Sequence, residues 1–242
     1  MALLCHGDNY DRMFEVVTCM KKQYATKGWE YIFNCYHDSS LTVRISEMMV
    51  DNEFNLIESA ETQWGKFDHI IETNECDKIA FCSSDDLWTY QKTQTQLRLN
   101  RNVIISSYIS QSPDRISWFE YNTPCKFRDL PFLTFCVWSG WMFDKDVRIP
   151  DILSFHEDYG IEQYILSCLL TRYDIYIILL PLFAFTVHDK QLTNELKETN
   201  ASMQWMVFID GFRNKIMQYK RCKILYVVTI HVLGYTIIDG SF

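Results

Sequence analysis

Four groups of side chains in this sequence are of types and spacings that could do chemistry. Asp85 and Asp86 follow at once on Lys78-Ile79-Ala80-Phe81-Cys82, a short apolar run with the character of a strand. Adjacent carboxylates at a strand end repel each other unless a cation compensates them. Their hard oxygens suit Mg or Mn, and such an ion could bridge a diphosphate. A second reading stays open, in which the pair caps the helix expected from Trp88 onward. Glu157 and Asp158 open another expected helix, where they could favour its N-terminus or deprotonate a hydroxyl. His188, in LFAFTVHDK, could complete a site of carboxylates and phosphate oxygens, or simply be a loop histidine. Asp38, in YHDSS, could accept from a base N–H or close an Asx turn.

The elements that must position these groups alternate. Strands are expected at Ala2–Cys5, Glu30–Tyr36, Asn55–Glu58, Lys78–Cys82, Asn102–Ile109 and Ile175–Leu180, the last ending at Pro181. Phe132–Val137 is a strand or a tight active-site segment. Helices are expected at Tyr10–Tyr24, closed by Gly28, at Leu41–Val50, Trp88–Asn100 and Glu157–Leu170, and over much of Asn194–Tyr219. Phe67–Glu72 reads as helical or irregular, and Ser110–Pro131 as a turn-rich excursion suited to an acceptor or a lid. Alternation of this kind implies an α/β fold, Rossmann-like, with a mainly parallel sheet flanked by helices.

Composition narrows the classes. Of 242 residues, 48% are hydrophobic and 22% charged, as in an ordinary globular chain. The net charge of -8 argues against a nucleic-acid partner. Nine cysteines show no C-x-x-C spacing, which fits free thiols in a reducing, cytoplasmic compartment. MALLCHGDNYDR lacks the pattern of a signal peptide. Cys222–Ile238 is apolar but interrupted by Lys223, His231 and Gly234, so a buried strand or hairpin is expected rather than a membrane span, with a peripheral membrane tail as the second reading. No G-x-G-x-x-G or G-x-x-x-x-G-K-S/T is present, which removes most of the weight from nicotinamide and P-loop readings.

Three stretches in order carry a resemblance. KIAFCSSDDLWTYQKTQTQL and HEDYGIEQYILSCLLTRYDIYIILLPLFAFTVHD resemble the aspartate-rich and Glu-Asp to Val-His-Asp segments of family-A (GT2-type, GT-A fold) nucleotide-sugar glycosyltransferases. WEYIFNCYHDSS is similar, more loosely, to the family's Asp-Asp-Gly-Ser turn, and Asn9–Arg12 to its opening. Ser83 stands where the family usually has an aspartate, and His37 and Ser39 replace the turn's first Asp and its Gly. The resemblance implies a transferase core over residues 1–190, and the residue pattern of 191–242 itself leads us to expect a C-terminal segment packed on that core as helix and apolar strand or hairpin. It implies that Asp85 binds a divalent cation, Mn or Mg, with Asp86 supporting it and His188 contacting metal or diphosphate. Asp38 would meet the nucleotide base, and Asp158, with Glu157 beside it, would be the general base of an inverting transfer. The donor would be a nucleotide sugar, with UDP-sugar as the family's commonest, and the acceptor a glycan, lipid or protein hydroxyl. A nucleotidyltransferase on a similar fold, or a non-catalytic binding module that keeps the fold, are the competing functions.

Overall fold

The computed structural model describes residues 1–5, 10–60, 62–112, 115–118, 137–148, 165, 169, 172–173, 175–186, 224–227 and 239–240. Among them the order is β1 (Ala2–Leu4), α1 (Tyr10–Lys21), β2 (Asn34–His37), α2 (Val43–Asp51), β3 (Asn55–Glu58), α3 (Gln63–Thr73), β4 (Lys78–Ser83), β5 (Leu87–Trp88), α4 (Lys92–Leu99) and β6 (Val103–Ser112). There follow β7 (Arg115–Trp118), a 3-10 turn (Trp138–Gly140), β8 (Trp141–Asp144), β9 (Ile175–Thr186), β10 (Ile224–Val227) and β11 (Asp239–Gly240).

The main sheet runs β11-β10-β9-β6-β8-β4-β1-β2-β3. Strands β1 to β4 are mutually parallel, β6 is parallel to β9, and β8 lies antiparallel between β4 and β6. The architecture is thus an α/β domain with a mixed, mostly parallel sheet flanked by helices, as the sequence implies. From β1 the chain adds β2 and β3 on one side and then returns to place β4 on the other. The crevice between β1 and β4 is therefore a topological switch point, where open α/β sheets bind ligands outside the carboxyl ends of their strands.

Residue alternation splits the core between the two faces. Leu3, Ala80, Cys82 and Ile104 face one cluster, with Val16, Val17 and Met20 of α1 and Ile45, Met48 and Met49 of α2. Ala2, Leu4, Ile79, Phe81, Val103 and Ile105 face the other, with Phe67 and Ile70 of α3 and the rings of Trp138, Trp141 and Phe143. Ile165 and Leu169, helical and fully buried, join this second layer at a spacing of one helical turn.

Several elements differ from expectation. The first helix stops at Lys21, and Gly28 does not close it but sits in the turn Thr26–Trp29 with φ of 84°. Trp88 is in a strand, and the following helix starts only at Lys92. Phe67–Glu72 is part of a regular helix, α3. The strand from Ile175 does not end at Pro181. It continues to Thr186, because a register shift around Ser107 places the proline, which has no N–H to give, opposite an irregular step of the ladder. The expected excursion begins with a hairpin, β6–β7, and strand β8 was not anticipated. The region 157–170, apart from Ile165 and Leu169, and the whole of 194–219 lie outside the described residues. Within Cys222–Ile238, Ile224–Val227 pairs in parallel with β9. No helix among the described residues is long and apolar enough to cross a membrane.

Candidate active site at the carboxyl edge of the sheet

Asp38 and Asp85 flank β1. The first follows β2 and the second follows β4, on the two sides of the switch point. Asp38 is held from two directions. Its Oδ1 accepts the Ser40 N–H at 2.9 Å and the Ser40 hydroxyl, which closes the expected Asx turn. Its Oδ2 meets the Lys66 Nζ at 2.5 Å. Burial raises the Asp38 carboxyl, but the bonds from Lys66 and Ser40 outweigh it and hold it at about 2. It is therefore an ionised acceptor at neutral pH.

Lys66 is fully buried, in the first turns of α3. That helix starts at Thr62, whose hydroxyl accepts the Gly65 N–H at 3.0 Å. Gly65 must be small there, since a Cβ would lie 2.3 Å from the Ala60 Cβ. The close approach of this helix start to the loop after β3 is what brings Lys66 under Asp38.

The two adjacent aspartates are not equivalent. Asp86 is fully buried, and its Oδ1 accepts the Thr186 N–H at 3.1 Å, which ties the turn after β4 to the end of β9. Asp85 is half-buried at the turn itself. Neither caps a helix, because β5 intervenes before α4 and the cap position of α4 is Gln91. The helix-cap alternative for this pair is thereby removed. The Ser83 N–H donates to the Ser139 hydroxyl at 2.8 Å.

Beneath the turn lies a second buried lysine. Lys92 Nζ is 3.9 Å from the centroid of the Trp88 ring and donates to Gln96 Oε1 at 2.8 Å. Gln96 Nε2 in turn donates to the Gly140 carbonyl at 2.8 Å, which also accepts from the Ser106 hydroxyl at 3.3 Å. Lys92 and Gln96 are both fully buried. Burial pushes the Lys92 ammonium down to about 7, with the Cys82 sulfur acting weakly in the opposite sense. This network fixes Trp88 and the 3-10 turn behind the aspartates.

Neither lysine was singled out from the sequence as a site residue. The signal was available. Lys66 is one turn from Ile70 on the buried stripe of α3, and Lys92 and Gln96 share the buried face of α4 with Thr93 and Leu97. A lysine on the apolar side of a helix needs a partner.

Glu157, Asp158 and His188 lie outside the described residues. Among the described residues no group of three or more His, Cys, Asp or Glu side chains could hold a metal ion. The donor chemistry present, one accessible carboxylate with a second buried behind it, is nonetheless of the kind that holds Mg or Mn through one or two carboxylates, with substrate phosphates supplying other ligands.

No protein-family model matches the chain, and no curated protein matches it in sequence. Solved structures do match in fold. S. aureus TarS 1-349 in complex with UDP-GlcNAc superposes with a TM-score of 0.61 at 10% identity, covering 90% of this chain and 66% of that one. The same fragment with UDP gives 0.57 at 13% identity, covering 91% and 72%. Against another S. aureus TarS structure the chain spans 44% of the length. Glucosyl-3-phosphoglycerate synthase from Mycobacterium tuberculosis, in complex with Mn2+, UDP and phosphoglyceric acid, gives 0.57 at 10% identity, covering 99% of this chain and 85% of that one. At such identities the likeness is one of fold, and the α/β domain described above is the fold that this chain shares with proteins solved with UDP, UDP-GlcNAc and Mn2+ bound.

Proposed function

We propose that this chain is a nucleotide-sugar glycosyltransferase of the GT-A fold, GT2-type, in the EC 2.4 class. It would move a sugar from a nucleoside diphosphate, UDP in the favoured case, to an acceptor hydroxyl on a glycan, lipid or protein. The observation that carries the reading is the placement of Asp38 and Asp85 on either side of β1, at the switch point of a sheet shared in fold with UDP-binding structures. A nucleotide would lie across the carboxyl ends of β1, β2 and β4, with its base toward Asp38 and its diphosphate toward Asp85.

In this reading each residue has one task. Asp38, kept ionised by Lys66, accepts an N–H of the base. Asp85 holds the cation, and Asp86 holds the turn that presents Asp85 by accepting from the end of β9. His188, which follows β9 at a distance of two residues from Thr186, would reach metal or diphosphate. A bound Mn or Mg would supply positive charge against the charge that develops on the diphosphate as it leaves. Asp158, with Glu157 beside it, takes the proton of the attacking hydroxyl while the bond from the anomeric carbon to the diphosphate breaks. Attack from the face opposite the leaving group inverts the centre. Residues 1–190 form the transferase core in this proposal, with 191–242 packed on it and no membrane span, in the cytoplasm.

The test is a calorimetric titration with UDP and GDP, with and without Mn. The wild type should bind UDP more tightly when Mn is present, and Asp85→Ala should lose that increment while keeping its circular dichroism spectrum. A variant that binds UDP with wild-type affinity and the same Mn dependence would refute the assignment of Asp85.

A further inference from the structure

A cavity of about 250 Å³ opens at the opposite edge of the sheet, beside the amino ends of β1, β2 and β4. It has no part in the site described above. Its volume is below the roughly 300–1,000 Å³ of sites for drug-sized ligands, so it suits a single ring rather than a nucleotide. Trp29, Ile32, Leu97 and Met142 give it an apolar side, and Glu30 and Glu75 a polar one.

Trp29 is 37% exposed and Ile32 45%, although both line a concavity. The indole N–H of Trp29 has no hydrogen-bond partner among the described residues, and the exposed carboxylates of Glu30 and Glu75 have neither a hydrogen bond nor an ion pair there. The other charged lining groups are engaged, the Met1 amine among them, which donates to the Ile32 carbonyl at 2.5 Å. Lys78 pairs with Asp144 at 3.0 Å and donates to the Arg101 carbonyl at 2.9 Å, and Asp77 pairs with Lys145 at 2.6 Å. The unengaged charge of the cavity is thus negative, which disfavours a phosphate or carboxylate ligand.

The wall is built rather than incidental. Trp29 sits at the end of the turn Thr26–Trp29, closed by its own N–H to the Thr26 carbonyl at 3.0 Å. That turn needs the positive φ of 84° at Gly28. Tyr31, which also lines the cavity, is fixed by three bonds: its hydroxyl donates to the Tyr24 carbonyl at 2.9 Å, and lies 3.0 Å from the Thr26 hydroxyl and 3.3 Å from the Thr93 hydroxyl.

We infer that this cavity is a second, non-catalytic site for one pyranose ring of a neutral carbohydrate. A pyranose has an apolar C–H face and a rim of hydroxyl donors. The half-exposed indole offers a flat apolar surface for the first, and two acceptor-only carboxylates match the second. An organic cation would call for several exposed rings converging on its charge, and of the two lining rings, Trp29 and Tyr31, only Trp29 is exposed. The site lies across the sheet from the switch point, so a carbohydrate held there does not compete with a nucleotide at Asp38 and Asp85.

The experiment uses the full chain labelled with 5-fluorotryptophan. The probes are the methyl glycosides of glucose, galactose, mannose and N-acetylglucosamine, with tetramethylammonium as the cationic comparison. Fluorine NMR, with the Trp29 signal identified by Trp29→Phe, should show a saturable shift of that signal with at least one glycoside. Trp29→Ala and Glu30→Gln, with glycoside affinity read by ligand-observed saturation-transfer NMR in the variants and the wild type alike, should each weaken binding tenfold or more while circular dichroism and Mn-dependent UDP binding stay at wild-type values. Asp85→Ala should leave glycoside binding intact. No shift of the Trp29 signal with any of the four glycosides overturns the inference. So does unchanged glycoside affinity in Trp29→Ala, loss of it in Asp85→Ala, or binding of tetramethylammonium alone. Because the UDP titration is read separately, failure of the donor site and failure of this one are distinguishable.

Discussion

Lys92 offers a quantitative test of how the site is supported. Its amine is buried beneath the Trp88 ring with one hydrogen-bonding partner in view, Gln96, and burial brings its pKa from 10.5 to about 7. Between those two values the unfolded chain carries a proton at this residue and the folded chain does not. The unfolded state therefore binds more protons, and folding stability must rise with pH across that window. The full slope is about 1.4 kcal/mol per pH unit and is half that at pH 7, so Lys92 alone should add about 2 kcal/mol between pH 7 and pH 9. Below pH 7 its contribution flattens. Lys92→Met keeps the length and apolar stem of the side chain and removes the titration. It also leaves Gln96 Oε1 without its donor, a roughly constant cost of about 1–3 kcal/mol. Urea unfolding of both proteins at pH 6, 7, 8 and 9 separates the two effects. The difference in stability, wild type minus variant, should change little from pH 6 to 7 and then climb by about 2 kcal/mol by pH 9. Parallel stability curves across the whole range would show that Lys92 keeps an ordinary lysine pKa, and the account of a neutral amine behind the aspartate turn would be wrong.

Asp38 runs the other way. Its pKa is lowered from 3.8 to about 2, so its stabilising contribution is complete above pH 3.8 and is lost as pH falls toward 2. Asp38→Asn should remove about 2 kcal/mol of acid-limb dependence in urea unfolding between pH 4 and pH 2. Gly65→Ala should force the start of α3 away from Ala60, since the new Cβ would lie 2.3 Å from the Ala60 Cβ, and lower stability by about 1–3 kcal/mol in thermal unfolding. Asp158→Asn should leave donor affinity near normal and reduce turnover by roughly 10²-fold or more, measured with a confirmed acceptor at saturating donor. Turnover within a few-fold of wild type would move the base role to Glu157 or elsewhere.

What was legible in the sequence followed from local chemistry. An apolar run that breaks into Ser-Ser-Asp-Asp marks a strand end, and β4 ends at Ser83 with Asp85 in the turn. Asn55–Glu58 was bounded correctly by its turn residues, and the α/β class by alternation. What was not legible depended on partners distant in sequence. Nothing local distinguishes Asp85 from Asp86. The difference comes from Thr186, one hundred residues on, whose N–H draws Asp86 inward. Pro181 reads as a strand end because it lacks a donor, and only the register shift opposite Ser107 lets β9 run past it. Trp88 has the spacing of a helix start, but pairing with Phe183 on β9 makes it a strand residue.

The same dependence explains why the two buried lysines belong to the account of the site. A carboxylate at a strand end is only as well placed as the turn that carries it. Here β4 leads into that turn, and three tethers from outside it hold the turn: Ser139 on the Ser83 amide, Thr186 on Asp86, and β9 on Leu87 and Trp88. Lys92 and Gln96 fill the space under Trp88 and tie the Gly140 carbonyl, so that the 3-10 turn bearing Ser139 and the strand bearing Trp88 share one polar network. Lys66 does the corresponding work for Asp38 from the other side of β1. An apolar residue in either place would pack, but it would give Asp38 no counter-charge and would leave Gln96 Oε1 without its donor. Burying two amines is costly. That cost is intelligible if what it secures is the relative placement of two carboxylates across a switch point, which is the arrangement a nucleotide bridging Asp38 and Asp85 would require.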